Sequence, residues 1–60
     1  MIRITSETSI EILSEIKPGD FVTDSFSKSG IVESIEKNDL DIYIEFRFTL
    51  VTGSIIAVRV

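Results

Sequence analysis

"LDIYIEFRFTL", residues 40–50, is the stretch whose reading decides the fold. Leu40, Ile42, Ile44, Phe46, Phe48 and Leu50 alternate with Asp41, Tyr43, Glu45, Arg47 and Thr49. Successive side chains of a strand point to opposite faces of its sheet, so strict alternation predicts a long strand with one buried face. Beyond it, "VTGS" (51–54) has turn composition, and "IIAVRV" (55–60) reads as a last strand. In that strand Ile56, Val58 and Val60 share one face, while Ile55 and Ala57 occupy the other.

Before the long strand, "KND" (37–39) is the expected turn, because Asn and Asp tolerate left-handed backbone angles. "GIVESIE" (30–36) reads as a strand in which Ile31 and Ile35 share one parity and Val32 takes the other. A bulge, or burial of both faces, accounts for that pattern. "DFVTDSF" (20–26) is a further strand with Val22 and Phe26 on one face, followed by the polar loop "SKSG". "MIRIT" (1–5) alternates Ile2 and Ile4 with Arg3 and Thr5 and reads as a half-buried strand.

Between them, "TSETSIEILSEI" (5–16) admits two readings. Thr8 with Glu11 has the form of a capping box, and Ile10, Leu13 and Ile16 fall on one helical face. Glu7, Glu11 and Glu15 then lie on the solvent side. Isoleucine lowers helix propensity, and a tight hairpin through "TSETS" is the competing reading. The helical segment is preferred, ended by Pro18 and Gly19. The expectation is an all-β fold: a small five-stranded SH3-like barrel or curled antiparallel sheet, with one short N-terminal helical turn. Residues 1–60 read as one domain, without repeat, linker or low-complexity segment. The glycines and the proline mark the corners of the curled sheet.

Gly19, Asp20 and Val22, then Gly30 and Val32 after a loop, then the alternating run from Leu40, resemble the small KOW-type SH3-like barrels. The likeness is to short bacterial members of unassigned role that read Gly-Asp-x-Val, a loop, Gly-x-Val and a long strand. It covers roughly residues 16–48. The resemblance implies a five-stranded barrel that binds RNA, ribosomal or transcription-complex surfaces, or other proteins. The nucleic-acid binders of that group carry lysine- and arginine-rich loops; here "TDSFSKSG" (23–30) offers Lys28 against Asp24.

At 60 residues the chain sits near the lower limit for unaided folding. A domain of this size buries only about 60% of the surface that its unfolded chain exposes. Small domains commonly add disulfides, a metal or a partner subunit. The sequence has no cysteine and no histidine, which leaves self-association as the expected support. Six basic against ten acidic residues give a net charge of −4, which repels phosphate backbones and anionic lipid. The first ten residues lack the apolar core of a signal peptide, and no apolar run approaches the roughly 20 residues of a membrane span. A soluble cytoplasmic protein is expected.

Catalysis finds little footing without histidine or cysteine. Asp39, Asp41 and Glu45 could form an acid–base or cation group, yet the calcium-loop positions that want Gly and Glu after Asp39 are Ile44 and Leu50. The expectation is therefore no catalytic site, no metal and no cofactor. Glu33, Glu36, Asp39, Asp41 and Glu45 could also dock on a basic partner, but Lys37 interrupts them. The candidate binding residues are Val51, Ile55 and Ala57, apolar on the second face of the last strand, with Tyr43 and Arg47 as polar contacts beside them. Either the N-terminal helical segment covers that second face or another chain does, most simply a second copy on a two-fold axis. The expected function is a non-enzymatic module for protein contacts, itself included. The alternative is a KOW-like nucleic-acid- or ribosome-associated factor using Tyr43, Arg47 and Lys28.

Overall fold

The computed structural model describes residues 2–26 and 28–60. It is mostly β: strands β1 (Ile2–Ile4), β2 (Phe21–Asp24), β3 (Ser29–Asp39), β4 (Ile44–Leu50) and β5 (Ile55–Arg59), with one helix, α1 (Ile10–Glu15). The strands form one sheet in sequence order, β1-β2-β3-β4-β5. From β2 onward the pairings are antiparallel, as expected, but β1 lies parallel to β2, with Ile2 opposite Val22 and Ile4 opposite Asp24. A parallel pair needs a crossover, and α1 with its flanking loops supplies one. The sheet is thus mixed. It is curled but not closed, since β1 and β5 remain its two edges.

Helix α1 is the reading the structure adopts for the N-terminal segment, in place of the hairpin through residues 5–9. Its cap differs from the expected box. Ser9, not Thr8, is the N-cap, its Oγ accepting from the Ile12 amide at 3.3 Å. Thr8 instead closes the preceding turn, its Oγ1 accepting from the Thr5 amide at 2.8 Å. Leu13 and Ile16 are buried and pin the helix to the sheet, whereas Ile10 sits at the exposed margin. Lys17, Pro18, Gly19 and Asp20 then form a tight turn. The Asp20 amide donates to the Lys17 carbonyl at 3.1 Å, and Gly19 takes φ 101°, a left-handed value that proline at the second position and glycine at the third suit well.

Strand β2 is shorter than the sequence suggests. Asp24 stops it: its Oδ1 accepts from the amides of Phe26 and Lys28 at 2.9 and 2.7 Å, turning the chain outward. Phe26, expected to share the inner face with Val22, is therefore outside the strand and 83% exposed. Strand β3 is longer, running through Lys37–Asp39, so the hairpin turn lies at residues 40–43, where the Leu40 amide donates to the Tyr43 carbonyl at 2.9 Å. Leu40 and Ile42 leave the alternating strand, and Ile42 is 88% exposed. Register explains this. A turn at Lys37–Asp39 would set Ile35 opposite a polar residue, whereas the observed register sets it opposite Phe48 on the inner face. A shift between Val32 and Ser34 reconciles the two parities of β3, which places Val32 and Ile35 inside and Ile31 outside.

The core gathers Ile4, Val22, Val32, Phe46, Phe48, Leu50, Ile56 and Val58 from the strands and Leu13 and Ile16 from the helical side. Phe46 and Phe48 stack with ring centroids 6.1 Å apart. Core and turns fix the outer face of β4 and β5, and that face carries the candidate residues.

Candidate binding surface

Four of the five candidate residues, Arg47, Val51, Ile55 and Ala57, are exposed on the outer face, and Tyr43 is half-buried beside them. Arg47 lies directly opposite Ala57, Thr49 opposite Ile55, and Glu45 opposite Arg59. Val51 follows the end of β4, and its amide donates to the Ile31 carbonyl at 2.9 Å. That contact brings in two residues not singled out from sequence. Ile31 pairs with Phe21 on β2, so Phe21, Ile31 and Val51 line up across three strands on the outer face. The signal was present: Phe21–Val22 and Ile31–Val32 are adjacent apolar pairs, and alternation must turn one member of each outward. Helix α1 does not cover this face, for Ile55 stays 43% and Val51 56% exposed.

The polar half of the surface is internally engaged. Glu45 receives Arg47 at 3.5 Å and Arg59 at 3.8 Å, and the Arg59 guanidinium lies 4.9 Å from the Tyr43 ring centroid. The arginines are exposed and Glu45 is partly covered, and pairs of this kind at such distances contribute about 0–1 kcal/mol each, so they orient side chains more than they hold the fold. The carboxylates Asp39, Asp41 and Glu45 are not brought together as a cation site; no group of three potential ligands exists among the described residues. Lys28, the third residue of the nucleic-acid reading, donates from Nζ to the Ile55 carbonyl at 3.2 Å.

No protein-family model, curated protein or solved structure matches this chain. The surface speaks through its own chemistry.

One part of that chemistry is backbone. Ile44 and Val60 exchange both of their hydrogen bonds at 2.9 Å, and the Leu50 amide donates to the Ser54 carbonyl at 2.8 Å. In an antiparallel ladder hydrogen-bonded positions alternate, so residues 56 and 58 face β4 while Ile55, Ala57 and Arg59 direct their N–H and C=O groups to the free edge. Between that edge and β1 lies an open cleft of about 470 Å³, lined on one side by Ile4–Ser6 and on the other by Ile55–Val58. No helix among the described residues is long and apolar enough to cross a membrane.

Proposed function

We propose that the chain is a non-enzymatic binding module of the SH3-like, KOW-like kind, working in the cytoplasm through protein contacts that include a second copy of itself. The observation that carries this reading is the uncovered apolar row of the outer face: Phe21, Ile31 and Val51 side by side, with Ile55 next along the sheet. The KOW-like assignment is supported by the roles of the resembling residues. Gly19 and Asp20 build the tight turn, Val22 and Val32 fill the core, and Gly30 stands opposite Val22 near the start of β3.

Magnitudes set the expected strength. Fully burying such a side chain is worth about 1.5–3 kcal/mol. Four that are already half-covered supply roughly 3–6 kcal/mol on each copy, or roughly 6–12 kcal/mol across a two-fold contact, by the same scale. Association costs about 4–15 kcal/mol in lost motion. The balance is a weak, concentration-dependent dimer rather than a permanent one. The nucleic-acid reading draws less support, because Tyr43, Arg47 and Lys28 are each engaged within the chain and the net charge is −4.

Sedimentation velocity over a wide concentration range tests the proposal. A sedimentation coefficient that rises with concentration, and that Ile55→Asp holds at the monomer value while its amide NMR spectrum stays dispersed, is the expected result. A monomer at millimolar concentration would remove self-association.

A further inference from the structure

The cleft between β1 and β5 is bounded by a strand edge with unused hydrogen-bonding groups, a different kind of surface from the outer apolar row. Three consecutive edge-facing residues, Ile55, Ala57 and Arg59, offer donors and acceptors in the spacing of a ladder. Natural edges are usually protected, and here the protection is partial: the Lys28 ammonium occupies the Ile55 carbonyl at 3.2 Å, while no backbone partner meets Ala57 or Arg59 on that side among the described residues. Strand rise, strand separation and sheet spacing together imply about 160 Å³ per residue of strand. A cleft of about 470 Å³ therefore has space for roughly three residues, the stretch beside Ile55 to Ala57; the edge itself runs five residues, Ile55–Arg59, so a paired segment continues out of the cleft at Arg59.

Charge narrows the occupant. Asp24 is the one carboxylate among the described lining residues, and its Oδ1 already accepts two amides. Lys28 lies in the lining, and no carboxylate among the described residues pairs with its ammonium, whereas Arg59 beyond the lining is already held by Glu45. The Lys28 ammonium is thus the one cation of the described lining, on a chain that is acidic as a whole. A second copy does not suit it. Its own β5 edge stands behind the same walls, β1 on one side and the residues after β2 on the other, so two such edges cannot meet without opening both.

We propose that this cleft takes one extended, acidic segment of another protein, which pairs with the free edge of β5 at Ile55, Ala57 and Arg59 and fills the gap to β1. Main-chain bonds to the edge supply affinity, and alternate side chains supply selectivity. On entry the segment displaces the Lys28 ammonium from the Ile55 carbonyl, and a carboxylate of the segment becomes its partner. The proposal goes beyond the outer-face contacts and does not depend on them.

The test uses a fluorescein-labelled, end-capped peptide of alternating glutamate and valine, titrated with the protein at concentrations where it sediments as a monomer. Saturable binding that weakens as salt rises is expected. Ala57→Pro removes an edge-facing N–H without touching the β4 ladder, and should weaken binding about tenfold while the amide spectrum stays dispersed. Should that variant unfold, Lys28→Glu on the exposed loop decides: it should also weaken binding at least about tenfold by setting like charges against each other. No saturable binding at millimolar concentration overturns the proposal. So does equal binding of the lysine–valine counterpart, or binding that both folded variants leave unchanged. Loss of self-association in Ala57→Pro, with no peptide bound by the parent chain, would assign the edge to a second copy and overturn it likewise.

Discussion

Lys17 and Asp20 close the same turn twice: the Asp20 amide donates to the Lys17 carbonyl at 3.1 Å, and the Lys17 amide donates to the Asp20 carboxylate at 3.0 Å. The turn is tied in turn to β3, since the Gly19 amide donates to the Val32 carbonyl at 2.9 Å and the Val32 amide to the Asp20 carbonyl at 2.8 Å. It therefore sets both where α1 leaves the sheet and where β2 enters it. Asp20→Ala is expected to cost about 1 kcal/mol through the lost charge-assisted bond. Gly19→Ala is expected to cost about 1–2 kcal/mol, because φ 101° strains any side chain although nothing crowds the site. In a domain of this size each 1 kcal/mol lowers Tm by roughly 4–8 °C, which calorimetry resolves. An unchanged Tm in both variants would mean that the turn does not hold the two elements.

Helix α1 is short, and its six residues cannot persist alone. It survives because Leu13 and Ile16 enter the core. Leu13→Ala should cost about 2–5 kcal/mol. A chain of this length has a stability of roughly 3–9 kcal/mol in all, so the variant should be close to unfolding at room temperature. Urea titration checks this by a large fall in midpoint. A shift as small as that of a surface substitution would place the helix outside the folding unit.

Ile42 gives the sharpest contrast between the alternating pattern and the fold. As a buried strand residue it would lose several kcal/mol on replacement by aspartate; at 88% exposure in the turn it should lose no more than about 0.5 kcal/mol. Ile42→Asp should accordingly unfold at the parent's urea midpoint. Destabilisation on the scale of a core mutation would return the strand to the longer form.

The same residue shows what the sequence could carry. Alternation from Ile44 to Leu50, the opposite parities of Ile55 and Ile56, and the Pro18–Gly19 corner are local properties, and each was legible. The turn position was not, because Asn38–Asp39 is good turn chemistry in isolation and only the pairing of Ile35 with Phe48 moves the turn onward. Phe26 was misplaced for a similar reason: the Asp24 carboxylate intercepts two amides and ends β2 before Phe26 can turn inward. The parallel pairing of β1 and the cleft beside β5 depend on how a sheet fails to close. No period along the chain encodes that. Of the candidate surface, the outward parity of Val51, Ile55 and Ala57 was legible, while the adjacent pairs Phe21–Val22 and Ile31–Val32 say that one member turns outward but not that Phe21, Ile31 and Val51 fall in one row.

Glu45 decides how far Tyr43, Arg47 and Arg59 could serve an anionic ligand. With both guanidinium groups on its carboxylate, the parent should show little affinity for single-stranded RNA at physiological salt. Glu45→Gln should leave stability within about 1 kcal/mol and release both arginines. Filter binding over a salt series separates the readings. Tight, salt-sensitive RNA binding by the parent, with a flatter salt slope in Arg47→Ala, would put the nucleic-acid function ahead of the protein-contact one.

Phe21 and Ile55 sit in different strands, yet the outer face joins them through Ile31 and Val51. If that row is one contact surface, Phe21→Thr should weaken self-association in the same sense as Ile55→Asp, although β2 and β5 share no pairing. Threonine suits an exposed strand position, so the fold should be retained. Covering a half-exposed Phe is worth about 1 kcal/mol or somewhat more, and a two-fold dimer loses it on both copies, which predicts a dissociation constant raised roughly 30- to 100-fold. Tyr43→Ser, at the far end of the same face among engaged polar groups, should leave the constant unchanged. Sedimentation of the three variants at matched concentrations discriminates sharply. A strong effect of Tyr43→Ser with none from Phe21→Thr would move the contact from the apolar row to the Tyr43–Arg59 cluster.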